Sequence, residues 1–443
     1  MDRSTLTQTS TTLYSRLRLV VKWGFLFFMR RIQVAGLDRV PHDRPVILVA
    51  NHQNAMMDPV LCCCFFPPQL HWLTRADVFK NPTVKNLLTN FNMLPVYRER
   101  DRVGDMQARN QEIFEIIYQR LQHNAIICLF PEGTHRGKKQ LMPLKKGVVR
   151  MATGAIEAGV QNAIVLPVGI DYEDYYNYRK DVLIVVGEPI PLALYEASLQ
   201  SDSARTQNVL LQDIRSAMRK VMVDIDHDHE YDVLIGLRPL INEIAGGDLL
   251  HQFNFYHTLL EQLAAQSPSA AAIQTKGKHY LELLHAIAGD DALHPESQQH
   301  QTLPVLLALP VAAIGALFFL PLYALIERIQ KKLVKDPLFI NSIRIVGWTF
   351  LTPLYLLIAA GLLSIGPLAW WQSILAVVGL ALAGRLSLWW NHRFRALRYA
   401  WHLSKMKRTQ PDTFGRYAAA RKDIIDLVQG IAEQFPHIKT KGH

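Results

Sequence analysis

Between residues 45 and 190, short apolar runs alternate with stretches whose apolar positions return every three or four residues. The runs Pro45–Ala50, Leu70–Leu73, Ala125–Phe130, Ala163–Ile170 and Val182–Val186 read as strands. Pro59–Phe66, Val84–Asn90, Val103–Gln122 and Lys146–Ala158 read as helices. Strands separated by helices imply an α/β domain with a mixed, largely parallel sheet and flanking helices. In such a sheet, ligands gather at the loops leaving the carboxyl ends of strands. Two such loops carry polar chemistry, one beginning with His52 and the other with Glu132, each two residues past its strand.

The pattern changes outside this region. Leu17–Ile32 is rich in Leu, Val, Trp and Phe but contains Lys22 and is accompanied by Arg16, Arg18, Arg30 and Arg31. A helix lying in a membrane interface with its arginines at the headgroups is expected there. Residues 201–300 show helical periodicity with Ser-, Gln- and His-rich interruptions. Leu303–Ile326 holds 24 residues without a charge, and Ile345–Gly384 holds 40, interrupted by Gly366-Pro367. A hydrocarbon core of roughly 30 Å needs about 20 residues of helix, so two or three crossings are expected. The resulting division is an interface helix at 1–34, the α/β domain at 35–200, a helical accessory region at 201–300, a transmembrane region at 301–390 and a basic helical tail at 391–443.

A net charge of +10 calls for an anionic partner, and the long apolar segments favour a lipid surface over nucleic acid. Arg328, Lys331, Lys332 and Lys335 in one loop, and Arg385, Arg393, Arg395 and Arg398 beyond the last apolar run, mark the cytoplasmic side. Keeping the α/β domain on that side requires 303–326 to be re-entrant, helped by Pro310 and Pro321, or 17–32 to cross as well. Residues 1–15 lack a signal peptide's apolar core, so secretion is not expected. Cys62, Cys63, Cys64 and Cys128 lack CxxC spacing and read as reduced core thiols.

Transfer to a hydroxyl needs a base that takes its proton at neutral pH, which suits His52. Asp58, beside a helix start at Pro59, can orient that ring if the turn between them folds back. Without a GxSxG elbow, direct attack by the hydroxyl is favoured over a covalent enzyme intermediate. The second loop, Phe130 to Lys139, offers a glycine, a hydroxyl and cations: Gly133, Thr134, and Arg136 with Lys138 or Lys139. It reads equally as a phosphate site, supported by Lys145 and Lys146 at the next helix start, and as a solvated basic loop. The cluster Asp226-His227-Asp228-His229-Glu230 has metal-ligand chemistry without the spacing of a closed site, and a solvated loop is expected.

Together these segments resemble the glycerolipid acyltransferase superfamily, which includes glycerol-3-phosphate and lysophosphatidate acyltransferases. The four motifs stand in the family's order: Asn51-His52 through Asp58-Pro59, Asn92 through Arg98, the unchanged Phe-Pro-Glu-Gly-Thr at Phe130–Thr134, and Val165 through Ile170. The resemblance implies that His52 and Asp58 are the catalytic pair, and that Arg98, Glu132, Gly133, Thr134 and Arg136 hold the acceptor. It implies glycerol 3-phosphate or lysophosphatidate as acceptor, acyl-CoA or acyl carrier protein as co-substrate, and no cofactor or metal. It also implies an integral membrane enzyme with its catalytic domain on the cytoplasmic side, at the inner membrane in a bacterium. Two departures stand out: five residues rather than four separate His52 from Asp58, and His135 precedes Arg136. A non-catalytic lipid-binding protein of the same fold and a metal-dependent phosphoester hydrolase using His52, Asp58 and residues 226–230 are the alternatives.

Overall fold

Alternation along the apolar runs sends neighbouring side chains to opposite faces of one sheet. The computed structural model describes residues 11–67, 70–97, 106–226, 228–265, 267–288 and 302–434. The strands are β1 (Arg31–Ala35), β2 (Val46–Ala50), β3 (Leu70–Arg75), β4 (Leu94–Val96), β5 (Ile126–Leu129), β6 (Ile164–Tyr172), β7 (Asp181–Val186) and β8 (Ile190–Pro191). They form an eight-stranded sheet in the order β1-β7-β6-β2-β5-β3-β4, with β8 also on β6. β6 meets β7 and β8 antiparallel and every other pairing is parallel, so the sheet is mixed and largely parallel.

The helices of this unit are α1 (Thr11–Phe28), α2 (Met57–Phe65), α3 (Pro82–Asn90), α4 (Met106–Gln122), α5 (Gly147–Glu157), α6 (Glu196–Ser201) and α7 (Ser203–Arg219). On one face, Val46, Leu48 and Ala50 of β2 join a core with Phe25 and Phe28 of α1 and Leu61, Cys62 and Cys64 of α2. On the other, Ile47 and Val49 pack with Ile113 and Ile117 of α4, Ala152 of α5, and Leu210, Ile214 and Met218 of α7. Because β2 and β5 are parallel neighbours, the loops leaving Ala50 and Leu129 emerge side by side. That adjacency puts the His52 and Glu132 loops together.

The chain divides into two compact units, one running to Asp224 and including Gln330–Thr349, the other made of Ile225–Ile329 and the chain from Phe350. The second unit holds α8 (Asp228–Ala245), α9 (Leu249–Ala265) and α10 (Ser267–Ala288). It also holds most of α11 (Thr302–Leu333) and α12 (Ile340–Ser364), and all of α13 (Trp370–Thr409) and α14 (Pro411–Glu433). Within it, Arg421 of α14 pairs with Glu243 of α8 at 3.1 Å, and Tyr280 of α10 stacks on Tyr417. The segments Thr302–Leu333, Pro337–Ser364 and Trp370–Thr409 are long and apolar enough to cross a membrane.

Several expected boundaries move. The interface helix expected to residue 34 ends at Phe28, and residues 31–35 form a strand beside β7. The cause is a charge cluster: Arg30 and Arg31 both reach the Asp181 carboxylate, at 2.7 and 2.5 Å. Arg18 donates to the carbonyls of Cys63 and Phe66, at 2.7 and 2.5 Å, and so caps the C-terminus of α2 instead of facing headgroups. On the opposite side of α1, Leu19, Trp23, Leu26 and Phe27 stay exposed. The first unit passes the expected limit at 200 because α7 buries its apolar stripe on the sheet. The last apolar helix continues to Thr409, well past 390.

Candidate active site

β2 ends at Ala50, and Asn51 prolongs its pairing with β6 through a side chain that imitates a peptide. Its Oδ1 accepts the Ile170 N–H at 2.7 Å and its Nδ2 donates to the Ile170 carbonyl at 3.0 Å. The chain then turns back so that Asp58, in the first turn of α2, reaches His52. The Nδ1 to Oδ2 distance is 2.8 Å. The extra residue of this loop is absorbed by a turn in which Ala55 adopts φ 40° and the Met57 N–H donates to the Asn54 carbonyl at 2.8 Å.

Asp58 is fully buried and every hydrogen bond it makes is accepted. Oδ2 also accepts the N–H groups of Gln53 and Asn54, at 2.9 and 2.8 Å, and Oδ1 accepts the Tyr172 hydroxyl at 2.8 Å. Four donors on one carboxylate make it an acceptor only, so the His52 proton sits on Nδ1 and the lone pair on Nε2. Phe130 stacks on the imidazole at 4.0 Å between ring centres, and Trp72 stacks on Phe130 at 5.0 Å. His52 retains 16% exposure, so its ring is fixed on one face and one edge while remaining reachable.

Glu132 lies inward. It is 1% exposed; Oε1 accepts the His52 N–H at 2.8 Å and Oε2 the Met142 N–H at 3.1 Å. Its two oxygens clamp the His52 loop to the 142 segment. Burial raises its pKa to about 7, against the pull of the two N–H donors. A carboxyl whose folded pKa is raised favours folding below the ordinary carboxylate range and loses that contribution as pH rises to about 7. Glu132→Gln is expected to remove this slope and, with one acceptor oxygen turned into a donor, to lower stability by about 1–3 kcal/mol. Denaturant melts at pH 5 and pH 7.5 measure both, and an unchanged slope would refute the burial argument.

The other expected site residues divide. Gly133 turns at φ 73°, its N–H bonded to the Phe130 carbonyl at 3.0 Å. Thr134 and Arg136 are exposed; the Arg136 guanidinium donates to the Gln140 side-chain Oε1 at 3.3 Å, and the Arg136 backbone N–H donates to the His52 backbone carbonyl at 3.1 Å. Lys139, expected as a phosphate cation, is buried instead, 2.5 Å from the Asp171 carboxylate and 2.5 Å from the Tyr172 carbonyl. Arg98 lies outside the described residues, as do the side chains of 227–229 from the acidic and histidine cluster. Among the described residues no group of three or more His, Cys, Asp or Glu side chains gathers as a metal site. Sequence reasoning missed Tyr172, whose signal was there: it follows Ile170 by two and so shares the face of β6 that meets α2.

Residues 31–171 match the family model described as Acyltransferase, a span that contains His52, Asp58 and Glu132. This span is an acyltransferase-family domain. It is similar to glycerol-3-phosphate O-acyltransferase 2 of Saccharomyces cerevisiae, 30% identical over 28% of this chain and 17% of that protein. The chain is also similar to 1-acyl-sn-glycerol-3-phosphate acyltransferase alpha of Mus musculus, 23% identical over 48% of this chain and 70% of that one. A crystal structure of the 1-acyl-sn-glycerophosphate (LPA) acyltransferase PlsC of Thermotoga maritima aligns at TM-score 0.35 and 21% identity, covering 47% of this chain and 78% of that one. The chain thus matches about a sixth of the length of the yeast relative.

Proposed function

We propose that this chain transfers an acyl group from a thioester, carried by CoA or acyl carrier protein, to a hydroxyl of glycerol 3-phosphate or lysophosphatidate at a membrane surface. The observation that carries it is the His52 ring held by Asp58 at 2.8 Å, with the lone pair left on Nε2. Nε2 takes the hydroxyl proton, the oxygen attacks the thioester carbonyl, and the departing thiolate recovers the proton from the imidazolium. Asp58 stabilises the imidazolium while it lasts. Exposed Thr134 and Arg136, together with Arg98, hold the phosphate of the acceptor. The names of the yeast and mouse relatives support an acceptor built on glycerol phosphate. The three apolar helices keep the enzyme in the bilayer, where lysophosphatidate and the acylated product partition.

Membranes containing the protein, given labelled acyl-CoA with glycerol 3-phosphate and lysophosphatidate in parallel, are expected to form labelled lipid from one of the two. The same membranes with His52→Ala are the control. Absence of product from both acceptors, with lipid binding intact, would instead support a non-catalytic lipid-binding protein of this fold.

A further inference from the structure

We propose that Asp336, in the linker joining α11 to α12, is a positioning residue that orients His135 so that His135 Nδ1 donates to the phosphate of the acceptor beside His52. This rests on the reading of the site as an acyltransferase for a phosphorylated acceptor. Residues Gln330–Thr349 belong to the same compact unit as the sheet, although they join two of the apolar helices. Asp336 Oδ2 lies 2.8 Å from His135 Nε2, and Asp336 Oδ1 accepts the Leu338 N–H at 3.0 Å. The carboxylate is therefore fixed by its own turn before it meets the ring. Phe339 sets its ring against His135 at 5.5 Å between centres, and Leu338 covers Gly137 so closely that a Cβ there would come within 2.6 Å of it. Asn341 and Arg344 anchor the start of α12 on the carbonyls of Tyr175 and Tyr176, each at 2.9 Å.

His135 in turn stands 5.3 Å from His52, centre to centre, with the rings 73° apart. A carboxylate on Nε2 requires a proton there, so in the neutral ring Nδ1 would show a lone pair, which repels phosphate. With a second proton the ring donates at both nitrogens and joins two anions, Asp336 on one edge and the acceptor on the other. The His135 bond and the Leu338 N–H hold the Asp336 carboxyl below its ordinary range, consistent with a partner that favours its charged form. Arg136, the next residue, is exposed on the same loop and supplies a second cation. The residue that departs from the common third motif thus acquires a task, and the partner that enables it comes from a membrane linker.

The test is a double-mutant cycle in the full-length protein in membranes. Asp336→Asn keeps an oxygen for the Leu338 N–H but turns an amide N–H toward His135 Nε2, so the ring can no longer join two anions. The KM for the phosphorylated acceptor should rise about tenfold, with kcat within about twofold of wild type, as for loss of a charge-assisted bond to a bound substrate. His135→Gln should give a similar rise, and the double variant should be no worse than His135→Gln alone. Inorganic phosphate should raise the melting temperature of the wild type and have a much smaller effect on Asp336→Asn. Additive losses in the cycle, a fall in kcat at constant KM, or equal phosphate stabilisation of both proteins would overturn the assignment. Should the wild type transfer to neither acceptor, the functional reading fails separately, and the phosphate measurement still decides whether Asp336 and His135 build an anion site.

Discussion

His52→Ala is expected to lower the rate of acyl transfer by at least roughly 10²–10⁴, the range a general base contributes. The variant should stay folded, because the ring is partly exposed and its loss leaves the Glu132 and Arg136 bonds to the His52 backbone intact. Near-wild-type single-turnover rates in a folded protein would overturn the role of the ring. Asp58→Asn is expected to cost less, roughly 10². An asparagine can turn its oxygen to the positions of His52 Nδ1 and the Gln53 and Asn54 N–H groups, and its amide N–H to the Tyr172 hydroxyl. The His52 tautomer is then preserved while the negative charge that stabilises the imidazolium is gone. Asp58→Ala removes both and should approach His52→Ala. Equal losses for Asp58→Asn and Asp58→Ala would show that charge, not ring orientation, is what Asp58 provides.

The composition of this site was legible in the sequence, its geometry less so. Strands buried on both faces read as continuous apolar runs, and β2, β5, β6 and β7 fall where such runs lie. β1 and β4 escaped for local reasons: β1 carries Arg31 and Gln33, and β4 is three residues long with Pro95 in the middle, tolerable at the sheet edge it occupies. The six-residue step from His52 to Asp58 left the contact open, because residue count does not reveal that Ala55 takes a left-handed conformation. Lys139 read as a surface cation, since nothing local reveals that Asp171, inside an apolar strand run, is its partner. Asp336 was equally hidden. In sequence it sits between Lys335 and Pro337 in a short connection of two long apolar helices, and its neighbour in space lies on the loop after β5.

Gly169→Ala should be the most damaging small substitution in the first unit. Gly169 sits within β6, a strand flanked by β2 and β7, pairs with Val185 of β7, and belongs to the fourth motif. A Cβ at this position would stand 1.7 Å from the Val221 carbonyl oxygen, 2.4 Å from its carbon and 3.1 Å from the Met222 nitrogen. All three atoms are backbone, so no rotamer change relieves the clash. The 221–224 segment itself is tied down: Asp224 accepts the Leu141 N–H at 2.8 Å and pairs with Arg219 at 2.7 Å, while Met222 is buried under the sheet. Either β6 shifts and pulls Asn51 from Ile170, or the segment lifts and opens the core beneath α7. Overpacking that only a backbone shift can relieve exceeds the usual range, and a loss of more than about 4 kcal/mol is expected. Loss of folded protein on extraction, or a greatly lowered melting temperature, would record it. Activity should fall with the folded fraction, because the clash acts through the strand that supports Asn51 and Tyr172. A Gly169→Ala protein melting with the wild type would show that the 221–224 segment is not packed against β6 as described.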